Sequence, residues 1–293
     1  MENPEAQSTV AANLSAIIKR RAEPPTTRLI SVSEIFGVTV QGEGALIGSP
    51  TVFVRTGGCD YACRWCDTMY AVDTKHRAEW ARLTSAEILG EVARLSGERP
   101  LLISLSGGNP ALQPLGELIA MGHALGYTFA LETQGSFAPK PVREEKASWF
   151  QALDYLTISP KPPSSGEETD WNKLAECVAA ANGVGHAREA DTKSAGAGPR
   201  INFKVVVFDD ADYEYAREVY ALYGERYPFS LSVGTPPAAA SSIANHEEMT
   251  AQLRQQIAAR FIWLTERVGR DGWFDVRVLP QLHVLVWGTK RGV

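Results

Sequence analysis

Three cysteines lie within eight residues, Cys59, Cys63 and Cys66, with the spacing C-x3-C-x2-C. Three thiolates can bind three irons of a cubane 4Fe–4S cluster and leave the fourth iron open to a small molecule. The same cysteines could instead form part of a structural zinc site, whose fourth ligand would be a distant histidine or Cys177. A disulfide would leave an odd thiol. The spacing alone therefore leaves the iron–sulfur and zinc interpretations open.

Two further features accompany the cysteines. An aromatic residue, Trp65, precedes the last cysteine, and a glycine pair, Gly107 and Gly108, follows the apolar run over 101–105. Two glycines let the backbone approach a ligand closely, where a Cβ would clash. These features together resemble the radical S-adenosylmethionine (SAM) enzymes. That family more often has a glutamate where this chain has Asn109, which keeps an acceptor oxygen but carries no charge.

A narrower resemblance covers the chain from about residue 30 to the C-terminus, with gaps. Short segments in the same order along the chain resemble the 7-carboxy-7-deazaguanine synthases, a family of radical SAM enzymes. These segments are 33–36, 41–44, 48–50, 53–59, 66–68, 132–135, 159–161 and 279–287. Several separated matches in order are more specific than one cysteine motif, so this family is our interpretation of the sequence.

The resemblance implies three cofactors: one 4Fe–4S cluster on Cys59, Cys63 and Cys66, SAM, and Mg²⁺ bound by the Thr68 hydroxyl. Magnesium prefers hard oxygen ligands and keeps several waters, which suits a single protein hydroxyl. The implied SAM contacts are Trp65, Cys66, Asp67, Gly108, Ser159, Pro160, Lys161, Ser232, Val233 and Gly234. Without the resemblance, Trp65 would be read as core packing and Lys161 as a surface cation, because lysines are mostly exposed.

The implied substrate is 6-carboxy-5,6,7,8-tetrahydropterin, and the product is 7-carboxy-7-deazaguanine, formed with loss of ammonia in queuosine and 7-deazapurine biosynthesis. In the family, a 5′-deoxyadenosyl radical derived from SAM starts this reaction by abstracting a hydrogen atom. Arg55 is expected to pair with the substrate carboxylate through a bidentate fork. Glu43 and Glu132 are expected to accept hydrogen bonds from the guanidine-like pterin edge. The implied substrate contacts are Val40, Gln41, Gly42, Glu43, Arg55, Ser106, Glu132, Gln281 and His283.

Composition limits the class of protein. The chain has 293 residues, 44% hydrophobic and 22% charged, with a net charge of −5. The longest basic tract is Lys19-Arg20-Arg21, which argues against a nucleic-acid surface. No apolar run approaches the ~20 residues needed to span a bilayer, and the clustered cysteines indicate a reducing cytoplasm. The family resemblance further implies a homodimer and a flavodoxin-like electron donor.

The hydrophobic pattern predicts strands that alternate with helices, which is typical of an α/β fold with a parallel sheet. Strands are predicted at 50–55, 101–105, 127–132, 154–159, 203–208, 229–233 and 274–279, and helices at 85–96, 110–126, 171–181 and 246–268. The motifs fall at strand ends, where barrel-type folds place their active sites. The resemblance implies a partial (βα) barrel over 29–293, preceded by a loosely ordered extension over 1–28 and interrupted by a mobile insertion near 182–199.

Two other functions remain as alternatives. A different radical SAM enzyme, such as an activase acting on a partner protein, would form 5′-deoxyadenosine without depending on a pterin. A binding module built around structural zinc would contain one zinc per chain and would not cleave SAM.

Overall fold

The computed structural model describes residues 28–141, 148–182, 198–235 and 246–293. The strands in these residues are β1 (Ile30–Val40), β2 (Pro50–Thr56), β3 (Ala81–Leu83), β4 (Leu102–Gly107), β5 (Thr128–Thr133), β6 (Tyr155–Ile158), β7 (Arg200–Val207), β8 (Phe229–Val233) and β9 (Arg277–Leu279). The α-helices are α1 (Met69–Val72), α2 (Ser85–Ser96), α3 (Gly116–Ala124), α4 (Trp171–Asn182), α5 (Asp210–Tyr223), α6 (His246–Arg270) and α7 (Leu282–Trp287). The predicted alternation of strands and helices is confirmed.

All described strands belong to one sheet with the order β3-β1-β2-β4-β5-β6-β7-β8-β9. The strands from β2 to β9 in this order are parallel, whereas β1 is antiparallel to both of its neighbours. Among the described residues, β3 and β9 each pair with only one other strand. They are therefore the two edges of an open sheet. The fold is therefore α/β with a mostly parallel sheet, and the predicted barrel is not confirmed.

The two faces of the parallel strands differ in character because alternate side chains point to opposite faces. One face is apolar: Val54, Leu105 and Phe203 are fully buried in a core that also contains Ile88 of α2 and Tyr213 of α5. The other face is polar, and most of it is also buried. It carries Arg55 on β2, Ser106 on β4, Glu132 on β5, Asn202 and Lys204 on β7, and Ser230 and Ser232 on β8.

The predicted helix at 85–96 is confirmed as α2, and it begins with a capping box formed by Thr84 and Glu87. The Thr84 hydroxyl accepts a hydrogen bond from the Glu87 backbone N–H at 3.2 Å, and the Glu87 carboxylate accepts one from the Thr84 N–H at 2.8 Å. The helix ends at Gly97, whose φ of 61° is left-handed. This conformation favours glycine at a helix C-terminus.

The helix predicted from Pro110 is wrong at its start. Residues Pro110–Leu112 form a single 3-10 turn, and α3 begins only at Gly116. The cause is Pro114, which disfavours helical geometry in the residue before it. Gln113 is accordingly extended, with φ −97° and ψ 153°.

Strands β1 and β3 were not predicted as strands. In β1 the pairing with β2 shifts register between Val32 and Glu34 and again between Phe36 and Thr39, and these irregularities interrupt the alternation that identifies a strand. The predicted extension over 1–28 and insertion near 182–199 lie almost entirely outside the described residues. No helix in the described part of the chain is long and apolar enough to cross a membrane.

Candidate active site

The cysteine loop, residues 57–68, begins directly after β2 at the carboxyl end of the parallel strands. Cys59, Cys63 and Cys66 are free and half-buried. Burial raises the pKa of all three thiols, that of Cys63 to about 11, although the nearby Lys161 ammonium opposes this in each case. The thiols are therefore protonated near neutral pH, and a metal that binds them must displace protons. Lys161 thus lies close to the whole cysteine set.

The segment that follows β6 holds the cysteine loop in place. Arg64 donates its backbone N–H to the Ser165 carbonyl at 2.8 Å, and the Trp65 indole donates to the Ser164 hydroxyl at 3.0 Å. The indole ring also lies 5.5 Å from the Phe208 ring, between centroids. Trp65 therefore has a packing role, whatever its part in SAM binding.

The glycine pair packs against the start of the cysteine loop. A Cβ on Gly108 would lie 2.0 Å from the Gly58 carbonyl oxygen, and Gly107 has a φ of +128°. The neighbouring Asn109 is fully buried, with its amide donating to Asp60 at 3.0 Å and its oxygen accepting from the Thr133 hydroxyl at 2.9 Å. Asn109 therefore links the cysteine loop to β5 through its own hydrogen bonds.

The donor set of the cysteine loop is compatible with an iron–sulfur cluster. In the described residues no three His, Cys, Asp or Glu side chains converge closely enough to bind one ion. Cys177, the suggested fourth zinc ligand, is fully buried in α4, and burial raises its pKa to about 12. Three free thiols on one loop match the ligand set that an iron–sulfur cubane takes, since its cysteines bind different irons. The Cys59 sulfur also accepts hydrogen bonds from the Tyr61 N–H at 3.4 Å and the Gln134 amide at 3.5 Å.

The residues predicted to bind SAM occupy the ends of the parallel strands. Ser159 and Pro160 are buried just after β6, and the Lys161 ammonium lies 3.5 Å from the Ser159 hydroxyl. On β8, the Ser232 hydroxyl is completely buried on the polar face and has no hydrogen-bond partner among the described residues. Leaving a buried hydroxyl unpaired costs about 1–3 kcal/mol, so this atom is suited to meet a ligand.

Two other residues at this strand end, Val233 and Gly234, were predicted to contact SAM, and they can offer only backbone atoms to a ligand. The Val233 side chain is buried in the apolar core on the opposite face, so its side chain cannot contact SAM. A Cβ on Gly234 would lie 2.2 Å from the Phe208 ring, which accounts for glycine at this position.

Thr68 and Asp67 close the cysteine loop. The Thr68 hydroxyl lies 3.6 Å from the Cys66 sulfur, so it is directed towards the cysteine set. Asp67 is exposed, but its charge contributes to the raised pKa of Arg55 on β2. The predicted magnesium ligand and the predicted carboxylate-binding arginine therefore lie in the same region.

Arg55 is held by a carboxylate that the sequence analysis did not identify. Its Nε donates to Glu34 at 2.6 Å, while Arg291 and the Tyr70 hydroxyl donate to the same carboxylate at 2.9 and 2.8 Å. Burial alone would raise the pKa of Glu34, but the two arginines lower it below its ordinary value. Among the described residues, Glu34 accepts from the Nε of Arg55 and no hydrogen bond from its terminal nitrogens is found, which leaves those nitrogens available for a ligand.

A second cluster, the carboxylate cradle, contains Glu43, Glu132 and Lys204. The Lys204 ammonium donates to Glu132 at 2.9 Å and also to Glu43. Gln41 donates to Glu132 at 2.9 Å, and Gln281 donates to Glu43 at 2.5 Å. Burial would raise the pKa of Glu43, but Lys204 and then His283 lower it to about 2.

Lys204 was missed by the sequence analysis. It is 5% exposed and stands in the apolar strand β7, and residues two apart in a strand share a face. Asn202 and Lys204 thus share one face of an otherwise apolar strand. This alternation of polar and apolar residues in β7 is the sequence signal that could have identified Lys204.

Of the remaining predicted substrate residues, Gly42 and His283 lie beside the cradle, Ser106 lies on β4, and Val40 ends β1 in register with Pro50. Val40 and Gly42 precede Glu43, and a Cβ on Gly42 would lie 2.6 Å from the His283 ring nitrogen Nδ1. The Ser106 hydroxyl is buried with no hydrogen-bond partner among the described residues, and Ser106 pairs in register with Arg55. The structure therefore brings Gly42 and Glu43, from the loop after β1, together with His283 from the C-terminal part of the chain.

The open α/β sheet thus carries a three-cysteine loop, an arginine and a carboxylate cradle, and the comparisons with known proteins show the family to which it belongs. No protein-family model matches the chain. It is 38% identical over 269 residues to the 7-carboxy-7-deazaguanine synthase of Bacillus cereus, covering 90% of this chain and 99% of that protein. It is 38% identical over 266 residues to the synthase of Bacillus subtilis (strain 168), covering 90% and 98%.

A solved structure supports the fold. The crystal structure of QueE from Escherichia coli matches with a TM-score of 0.52 at 20% identity, over 87% of this chain and 95% of that chain. By its likeness to the Bacillus proteins along almost their whole length, the chain belongs to the 7-carboxy-7-deazaguanine synthase family.

Proposed function

We propose that this chain converts 6-carboxy-5,6,7,8-tetrahydropterin to 7-carboxy-7-deazaguanine with loss of ammonia, in queuosine and 7-deazapurine biosynthesis. The single observation that carries the proposal is the family relationship over 90% of the chain. The arrangement of Arg55, Ser106 and Glu132 supports it. These residues lie on the neighbouring strands β2, β4 and β5 of one sheet face.

The spacing of these groups suits the two ends of a carboxypterin. Adjacent strands lie about 4.8 Å apart, so Arg55 and Glu132 are separated by roughly 10 Å across β4. The terminal nitrogens of Arg55 are available to a carboxylate, for which a guanidinium fork is a matched partner. The cradle offers carboxylate oxygens that accept but cannot donate, which suits the N–H groups of the pterin edge.

The cysteine loop is the proposed cofactor site. Cys59, Cys63 and Cys66 would bind a 4Fe–4S cluster, which together with bound SAM supplies the radical that removes a hydrogen atom from the substrate. Residues Trp65, Cys66, Asp67, Gly108, Ser159, Pro160, Lys161, Ser232, Val233 and Gly234 would contact SAM, Val233 through its backbone. Thr68 would contribute one oxygen to Mg²⁺.

The remaining expectations rest on the family resemblance. We infer that the open sheet is the partial (βα) barrel of radical SAM enzymes, and that the chain forms a homodimer. A flavodoxin-like protein would supply electrons in the cytoplasm, where the free cysteines stay reduced.

The test is an anaerobic assay with the reconstituted cluster, dithionite, SAM, Mg²⁺ and 6-carboxytetrahydropterin. Catalytic formation of 7-carboxy-7-deazaguanine, followed by mass spectrometry, is the expected result. Formation of 5′-deoxyadenosine at the same rate with and without the pterin would instead favour an activase. One zinc per chain and no SAM cleavage would favour a zinc-binding module.

A further inference from the structure

The buried lysine of the carboxylate cradle has no part in the chemistry described above. Building on the proposed function, we propose that Lys204 is a positioning residue that keeps Glu43 and Glu132 together as two ionised acceptors for the donor edge of the pterin. The two glutamates come from different parts of the chain, the loop after β1 and the strand β5. A cation placed between them stabilises both in ionised form at one site, where the side chains of Glu43 and Glu132 are only 13% and 24% exposed.

The hydrogen bonds show what the lysine leaves for a ligand. Each cradle carboxylate has one oxygen bonded to Lys204 and the other bonded to a glutamine amide, Gln281 for Glu43 and Gln41 for Glu132. An ionised carboxylate offers about four lone-pair sites, so each glutamate keeps accepting capacity beyond these two bonds. The Lys204 ammonium donates its hydrogen bonds to the two glutamates. The accepting capacity that the carboxylates retain is therefore open to N–H donors of a ligand. A pyrimidine or guanidine edge rich in N–H groups has the matching chemistry.

The charges explain why the lysine is needed. The two carboxylates and one ammonium sum to about −1, and His283 is a further titratable group whose charge acts on Glu43. The flanking strands present hydroxyl groups here, Thr157 on β6 and Ser230 on β8. Without the lysine, two carboxylates in a buried site would repel, and one would hold a proton near neutral pH. A protonated carboxyl presents an O–H donor. Facing an N–H donor of the ligand, it cannot accept a hydrogen bond at that oxygen.

The experiment compares Lys204→Met with Lys204→Arg, which keeps the charge. Lys173→Met is the matched control, because Lys173 is an exposed lysine paired with Asp170 at 3.6 Å. Infrared difference spectra at neutral pH report a protonated carboxyl, and steady-state kinetics give KM and kcat for the pterin. Glu132→Gln in the Lys204→Met background assigns the band to the pair of cradle glutamates, and it relieves the repulsion if Lys204→Met alone folds poorly.

We expect Lys204→Met to show a carboxylic acid band that wild type lacks, and to raise KM for the pterin about tenfold or more, the effect of one lost charged hydrogen bond. The band should vanish when the pH is raised and in the double variant, and Lys204→Arg should restore KM. Absence of the band in Lys204→Met, with KM within twofold of wild type, would overturn the proposal. If wild type does not convert the pterin but the band still appears, the proposed substrate fails while the role of Lys204 in ionising the pair stands.

Discussion

Replacing Arg55 with lysine tests the predicted bidentate ion pair between this residue and the substrate carboxylate. The Arg55 side chain is 17% exposed, and its Nε is anchored by Glu34 at 2.6 Å, so the two terminal nitrogens are the groups that remain for a ligand. Lysine keeps a positive charge beside Glu34 but replaces the planar fork with a single ammonium. Losing one of two charged hydrogen bonds costs about 1.5–3 kcal/mol, which is about 10- to 150-fold in affinity.

The assay measures KM for 6-carboxytetrahydropterin together with 5′-deoxyadenosine formed in the absence of pterin. We expect Arg55→Lys to raise KM by the stated factor and to leave the pterin-independent reaction unchanged, because the cysteine loop is not altered. Arg226→Lys is the matched control, since Arg226 is exposed on the surface. A KM for Arg55→Lys within twofold of this control would refute the assignment of Arg55 to the carboxylate.

Three further predictions concern other parts of the molecule. Cys63→Ala should abolish the iron–sulfur absorbance after reconstitution. Cys177→Ala, a control in the apolar core, should retain this absorbance. An intact spectrum in Cys63→Ala would show that Cys63 is not a cluster ligand. Gly108→Ala should abolish SAM cleavage, because its Cβ would lie 2.0 Å from backbone of the cysteine loop, while Gly90→Ala, with nothing within 4 Å, should be as active as wild type. Glu34→Gln should lower the free energy of unfolding of the apo-protein by about 3–5 kcal/mol, since a buried partner of two arginines loses its charge. Because the folded pKa of Glu34 lies below its ordinary value of 4.5, its contribution is present above that pH and is lost as the pH falls further. Denaturant titrations should therefore show the two proteins converging in acid, and an equal gap at every pH would contradict the charge argument.

The part of the site that the sequence predicts best is the part that is local in the chain. The three cysteines span eight residues, and the capping box of α2 spans four, so both are recognisable as local motifs in the sequence. The turn at Pro110 was misassigned because the pattern showed an apolar segment but not where its first helical residue lies. One proline, Pro114, determined that boundary.

What the sequence did not predict depends on pairs that are far apart in the chain. Arg291 reaches Glu34 across 257 positions, and Lys204 reaches Glu43 across 161. Periodicity gives no information about such pairs, although the polar alternation in β7 indicates which face Lys204 occupies. The open edges of the sheet are likewise a property of the whole strand order, which no single strand pattern contains.

The polar face of the sheet explains why these distant residues belong to one site. Buried polar groups on that face must be paired or left for a ligand, because an unpaired buried group is costly. Most of them are paired internally, as Asn109 and Gln41 are, and these pairs fix the cysteine loop and the cradle. The hydroxyls of Ser106 and Ser232 and the side-chain oxygen of Asn202 are exceptions among the described residues, and they lie on the same face as Arg55 and the cradle. The internal network therefore leaves unpaired the groups from which ligand recognition is expected.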